Sequence, residues 1–254
     1  SRDGHLWAML DPFRVIVYPY VEGRNGYELD LSVRQWGELG TALKRIHTAR
    51  LPETLLSSIP QESYSPQWRE SVKMFLERAQ AETFTDPWAN KLAALLRDKR
   101  GEILDLIERA EEFARALQAR PAELVLCHAD LHAGNILIDA AGALYIVDWD
   151  NPVRAVKERD LMFIGGAQGF GGYTPQKEET LFYQGYGQTR VDPVALAYYR
   201  YERIVQDIAE FCKQLLNTAE GGDDREQSFR YLASNFLPGN TIEAARRVDK
   251  LSQM

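Results

Sequence analysis

Asp130, Asn135, Asp148 and Asp150 concentrate carboxylate and amide oxygens in one part of the chain, residues 124–150. A carboxylate at the start of a tight loop can orient a hydroxyl and take its proton as an O–P bond forms, and Asp130 has that position in His128-Ala-Asp130. Asn135 offers a neutral oxygen and Asp148 an anionic one, and hard oxygen donors are what Mg²⁺ takes. Singly, Asp and Asn are common turn residues. Together, an Asp, an Asn five positions later and an Asp-Trp-Asp after two further apolar runs make up the equipment of phosphoryl transfer.

The elements that must position these side chains can be read from the apolar pattern. Leu124–Cys127, Ile136–Ile138 and Leu144–Val147 predict short strands. The turn sequence Asp139-Ala-Ala-Gly142 makes the second and third a hairpin, and a hairpin brings its two ends together. Asn135 and Asp148 are therefore expected to be neighbours. Trp149 reads as a core residue. Upstream, residues 5–10 and 13–21 read as strands joined at Asp11-Pro12, the second finishing at Pro19, which cannot donate to a ladder. Residues 22–26 form a turn or hinge.

Helices dominate elsewhere. Ser32 caps a helix through His47, with Val33, Trp36, Leu39, Leu43 and Ile46 on one side. Residues 52–66 read as loop, and Ser65-Pro66 and Asp86-Pro87 open two further helices. Gly101 interrupts before a periodic run from Ile103 to Leu117. Glu158–Ile164 predicts a short helix, followed by a glycine-rich loop over 165–172 that is expected to be mobile. Pro175–Tyr186 and a long helix from Asp192-Pro193 to Leu216 follow. Residues 217–225 are a polar break, and a last helix pair divides near Pro238-Gly239. The fold class is α+β, mostly helical with a small β insert.

The 254 residues are 45% hydrophobic and 26% charged, a composition suited to a proper core in one large or two small domains. The net charge of −7 gives no basic excess for nucleic acid or a membrane surface. Cys127 and Cys212 form no CxxC, so a reducing cytoplasm is the expected setting. No apolar run is long enough to span a bilayer.

The residues resemble a known family. His128-Ala-Asp130-Leu-His-Ala-Gly-Asn135-Ile-Leu is similar to the catalytic-loop signature of the aminoglycoside phosphotransferase and choline kinase family, and its details resemble the spectinomycin phosphotransferase branch. Ile146-Val-Asp148-Trp-Asp150 is similar to that family's metal-binding signature, and Glu158-Arg-Asp160-Leu to the helix after it. The resemblance implies a protein-kinase-like large lobe using ATP or another nucleoside triphosphate with Mg²⁺. It implies Asp130 as catalytic base, Asn135 and Asp148 as Mg²⁺ ligands, Asp150 as a further metal or outer ligand, and His128 as a residue that holds the loop by hydrogen bonds. Phe13–Gly23 resembles the last small-lobe strand running into the interlobe hinge, where the Tyr18 carbonyl and Tyr20 amide would bond an adenine edge. The acceptor implied is a small-molecule hydroxyl compound, aminoglycoside-like and cationic. Carboxylates and aromatics should line its cleft, with Tyr201, Glu202 and Asp207 on the long helix as candidates.

The sequence also departs from that pattern. No G-x-G-x-x-G and no strand Lys of the V-A-I-K type occurs, and few residues precede Phe13. Residues 1–23 thus read as the remnant of a small lobe and hinge. Residues 24–254 read as a helical large lobe with its catalytic core at 124–164, and the missing small lobe is expected in the parent protein. Three alternatives remain open. One is a kinase-shaped binding module or fragment without turnover. Another is a kinase for a different small metabolite, such as choline or a homoserine-like compound. The third is a metallohydrolase built on His128-x-Asp130-x-His132.

Overall fold

The computed structural model describes residues 8–166, 169–218 and 222–252. The start of the expected strand 5–10, residues 167–168 of the glycine-rich stretch, residues 219–221 of the polar break and the last two residues of the final helix lie outside them.

The described chain is α+β, as expected. Strands β1 (Ala8–Leu10) and β2 (Phe13–Val15) form an antiparallel hairpin. The expected strand over 13–21 ends early, at Val15, because β1 is its sole partner among the described residues and Pro19 has no N–H to give. A short strand β3 (Arg24–Asn25), within the expected turn, pairs with β5 (Ile136–Ile138), which pairs in turn with β6 (Leu144–Ile146). The expected β5–β6 hairpin forms, with Ile136 opposite Ile146 and Ile138 opposite Leu144. Strand β4 (Val125–Cys127) joins a separate ladder with β7 (Val153–Ala155), a strand too short for periodicity to reveal.

The helices begin where their caps dictate. In α1 (Val33–His47), Ser32 accepts from the Gln35 amide and Gln35 reaches back to Ser32, a reciprocal capping box. Asp86, Thr174 and Asp192 each cap a helix with Pro at its first position: α4 (Pro87–Asp98), α7 (Pro175–Tyr186) and α8 (Pro193–Asn217). The expected loop 52–66 contains a one-turn helix, α2 (Glu53–Leu56), and α3 (Gln67–Ala81) follows. The break before α5 (Arg100–Gln118) falls at Lys99 rather than Gly101, which is accommodated in the first turn. After α6 (Glu158–Leu161), α7 and α8, the chain closes with α9 (Gly222–Ser234) and α10 (Thr241–Ser252).

Helix α8 is the spine of the body. It packs on α3, α4, α5, α6, α9 and α10 and buries Tyr198, Tyr199, Ile204, Val205 and Ile208. Helix α1 lies along α7 at very close range, where a side chain on Gly185 would collide with the Gly37 carbonyl and one on Gly40 with the Phe182 carbonyl. That contact fixes the end of α1, which carries His47 behind the catalytic stretch. The described part of the glycine-rich segment is packed rather than free. Phe170 sits against Trp36 with ring centroids 5.0 Å apart, and Gly169 leaves just enough room for the ring of Tyr27. No helix among the described residues is long and apolar enough to cross a membrane.

Candidate active site

The site is assembled from behind. Helix α6 buries Asp160 completely, and a buried carboxylate must be supplied with donors. Its Oδ1 accepts from the Ala129 amide at 2.7 Å, and its Oδ2 accepts from the His128 amide at 2.9 Å. His47 adds a contact from Nε2 at 3.0 Å, and its Nδ1 lies 2.8 Å from the Tyr186 hydroxyl. Ala129 has φ 71°, an unfavourable region for a residue with a Cβ. The two amides bonded to Asp160 flank that strained peptide and hold it.

The same loop is stitched from within. The His128 ring is buried, and its Nδ1 accepts from the Asp130 amide at 3.2 Å. The proton is thereby assigned to Nε2, which donates to the Val147 carbonyl at 2.8 Å. His128 ties the start of the loop to the end of the hairpin, as the resemblance implied. Asn135 closes a 3₁₀ turn, Ala133–Asn135, and donates Nδ2 to the Asp130 carbonyl at 2.8 Å. With its NH₂ so engaged, Asn135 has Oδ1 left to offer a cation. The Val147 amide donates to the Asn135 carbonyl at 3.0 Å, so the hairpin ends meet and Asp148 is the next residue out. Asp148 has φ 65°, and its carboxylate is exposed, as is Asp150. Trp149 is also exposed at the site rather than in the core. It is held by a 3.1 Å bond from its indole N–H to the Ile146 carbonyl and stands edge-on to His128.

Asp130 itself is 42% exposed in its side chain. Arg203 of α8 donates Nη1 to Asp130 Oδ1 at 2.5 Å, and its Nε lies 2.9 Å from Asp207 Oδ1. Burial opposes the charge on Arg203, but Asp207 and Asp130 outweigh it and hold the guanidinium above its ordinary range. Burial pushes Asp207 up to about 6, with Arg203 opposing. His132 lies on the other side, its Nε2 3.6 Å from Asp130 Oδ2. Its Nδ1 accepts from the Gly134 amide at 3.0 Å and meets the Tyr27 hydroxyl at 3.2 Å, the two rings being stacked. Burial lowers the His132 pKa, which suits that neutral role, with Asp130 opposing.

The other sequence candidates lie apart from this cluster or at its edge. Asp207 reaches it through Arg203. Tyr201 is buried and donates its hydroxyl to Asp249 of α10 at 3.0 Å. Glu202 is buried 3.3 Å from Arg69 of α3, and burial pushes its pKa up to about 7. The structure therefore does not bring Tyr201 or Glu202 to Asp130. Tyr18 and Tyr20 lie in the irregular segment after β2 with exposed rings. The metallohydrolase alternative does not fit, because both nitrogens of His128 and Nδ1 of His132 are turned to protein partners. Sequence reasoning missed Arg203, Tyr27 and His47, and saw Asp160 only as part of the helix after the metal-binding signature. A signal for Arg203 was its four-residue spacing from Asp207 on a helix.

The profile of the phosphotransferase enzyme family matches residues 2–154, more than half of the chain. The chain belongs to this family. A search of curated proteins returned no match. Among solved structures, spectinomycin phosphotransferase APH(9)-Ia in complex with ADP and spectinomycin is 36% identical, with a TM-score of 0.88 over 98% of this chain and 75% of that one. Its AMP-bound complex gives 0.86 at 36% identity over 96% and 75%. A choline/ethanolamine kinase family protein from Mesorhizobium loti shares the fold at 16% identity and TM-score 0.51, over 98% of this chain and 78% of that one. This member of the phosphotransferase enzyme family thus has the kinase-like fold of those enzymes. The carboxylates and amide that the family's chemistry would need lie at one end of its β5–β6 hairpin.

Proposed function

We propose that this chain is the large lobe of an ATP-dependent O-phosphotransferase acting on an aminoglycoside-like small molecule, spectinomycin being the first candidate. The observation that carries the reading is the convergence of Asp130, Asn135 and Asp148 through the Asn135–Asp130 and Val147–Asn135 hydrogen bonds. The likeness to a spectinomycin phosphotransferase over nearly the whole chain supports the substrate class.

In this reading Asn135 Oδ1 and the Asp148 carboxylate hold Mg²⁺, with Asp150 as a further ligand. Their donor chemistry fits: one amide oxygen left over by its own hydrogen bond, and exposed carboxylates. The ion supplies charge neutralisation on the phosphates when bound. Asp130 orients the acceptor hydroxyl and receives its proton. As the new O–P bond forms, the bond from the γ-phosphorus to the bridging oxygen breaks, and ADP leaves with that electron pair. The Tyr18 carbonyl and Tyr20 amide bond the adenine edge.

Residues 1–23 are proposed as the end of a small lobe and its hinge, and residues 24–254 as the large lobe with its core at 124–164. Exposed Met9, Leu10 and Phe13 support this, since apolar strand residues of this kind need a cover. The parent protein is proposed to carry that cover, a phosphate-binding loop and the strand Lys. The test is phosphate transfer from ATP to spectinomycin by the full-length parent, with and without Mg²⁺. Mg²⁺-dependent phosphorylation is expected. Nucleotide binding with no transfer to spectinomycin, gentamicin or choline would favour a binding module instead.

A further inference from the structure

We infer that Arg203 is a positioning residue that clamps one oxygen of Asp130 and leaves the other, Oδ2, as the atom that receives the acceptor proton. The inference rests on the reading of Asp130 as base and goes beyond it.

The geometry separates this pair from an ordinary surface ion pair, which contributes little. The Arg203 side chain is only 16% exposed. It rises from α8 and forms an ion pair with Asp207, four residues on, whose Oδ1 lies 2.9 Å from Nε. Its guanidinium carbon lies 5.8 Å from the centroid of the Phe163 ring. Those contacts leave the Nη1 end aimed at Asp130 Oδ1. An arginine fork held at several points is a rigid donor, unlike a lysine on its flexible stem. Asp130 has few restraints of its own. Its terminal torsion is intrinsically broad, and His132 Nε2 at 3.6 Å is beyond hydrogen-bonding distance. Among the described residues, Arg203 is the one hydrogen-bond partner of that carboxylate.

The consequence is directional. Arg203 takes one acceptor site of Oδ1 and crowds that edge of the carboxylate, so the acceptor O–H is expected at Oδ2, on the His132 side of the loop. The transferred proton ends on Oδ2, the acceptor oxygen takes the γ-phosphoryl group, and ADP departs as described above. Reactions of this kind lose rate steeply when the reacting groups are misplaced by about an ångström. Arg203 is placed to act through Asp130, so its effect should fall on turnover and spare nucleotide binding.

The test uses the full-length parent with ATP, Mg²⁺ and spectinomycin. Arg203→Met is expected to lower kcat at least tenfold while leaving the KM for ATP within twofold. Arg203→Lys should recover part of that loss, and Asp207→Asn should give a smaller loss of the same kind. Crystal structures of the wild type and Arg203→Met should show the Asp130 carboxylate reoriented or in several positions in the variant. A kcat within twofold of wild type, or an Asp130 orientation that does not change, would overturn the clamp. A fall in urea-unfolding stability that matches the kcat loss in both the Met and the Lys variant would assign Arg203 to folding and overturn it as well. If the wild type transfers nothing to spectinomycin, the functional reading fails, and the paired crystal structures still decide whether Arg203 sets the orientation of Asp130.

Discussion

Around Asp130 the backbone polar groups of the loop find protein partners, whereas between Ala8 and Tyr20 large apolar side chains face outward. In the first region, buried Asp160, His128 and Asn135 hold a loop containing a strained Ala129. In the second, Leu10 and Phe13 are about two-thirds exposed and Tyr20 almost wholly so. The difference teaches where precision is stored. The loop around Asp130 is fixed by buried hydrogen bonds, each costly to leave unmade. Between Ala8 and Tyr20 the large apolar side chains stand exposed instead.

The sharpest way to break this comparison is to separate a reacting group from the groups that hold it. Asp130→Ala in the full-length parent is expected to lower turnover by roughly 10²–10⁴-fold, the range of a lost general base. Nucleotide affinity, measured by calorimetry with ADP, should hardly change, and stability should fall by no more than about 1 kcal/mol, because Asp130 is 42% exposed and Arg203 keeps Asp207. Near-normal turnover would remove Asp130 from the chemistry. Asp160→Ala should do the reverse. It leaves the amides of His128 and Ala129 and Nε2 of His47 without their acceptor in a dry interior. A loss of about 3–5 kcal/mol is expected in urea unfolding. A loss under about 1 kcal/mol would mean that the loop does not depend on this anchor.

The contrast between these two residues also marks what the sequence made legible. Asp130, Asn135 and Asp148 declared themselves because their relation is local: a loop and a hairpin within residues 124–150. The helix starts at Asp86-Pro87 and Asp192-Pro193 were legible for the same reason, since a cap is a contact between near neighbours. His47 and Asp160 are 113 positions apart and Arg203 and Asp130 are 73 apart, so periodicity could not pair them. Strands β3 and β7 escaped because Arg24-Asn25 and Val153-Arg154-Ala155 carry no apolar run of the kind that marks β4, β5 and β6, and their partners are supplied by tertiary packing. Tyr201 and Glu202 were candidates for the cleft because the resemblance calls for aromatics and carboxylates there and both lie on the long helix. Which face of α8 is buried is set by α3 and α10, which that reading could not see.

A smaller effect probes the buried interior away from both regions. Glu178 of α7 is buried, accepts from the Gly165 amide at 3.1 Å, and burial pushes its pKa up to about 7. An unfolded Glu releases its proton near its ordinary value, so between there and about pH 7 the folded state binds more protons. Stability must therefore fall as pH rises through that window and level off above it. Glu178→Gln keeps an acceptor for Gly165 and removes the titration. It should flatten about 3 kcal/mol of that fall in urea unfolding followed from pH 4 to 8. Buried Glu202, also raised to about 7, should leave a residual slope of the same sign. An unchanged slope would mean that Glu178 is hydrated where the structure buries it.

The smallest effects belong to the hinge. If Tyr20 meets the adenine through its backbone amide, its ring is dispensable, and the ring is 91% exposed. Tyr20→Ala should then change nucleotide affinity in the full-length parent by less than about twofold, since only an exposed side chain is lost. Tyr20→Pro deletes the N–H itself. It should weaken ADP binding by roughly threefold to tenfold, the worth of one net hydrogen bond. Calorimetry on the two variants side by side decides the matter. Equal losses would mean that the ring carries the contact, and no loss in either would move the adenine away from this segment. A loss in Tyr20→Pro alone sharpens the comparison. The large lobe would then specify its site through side chains locked from behind, and the hinge would do so through backbone that no side chain in the segment holds in place.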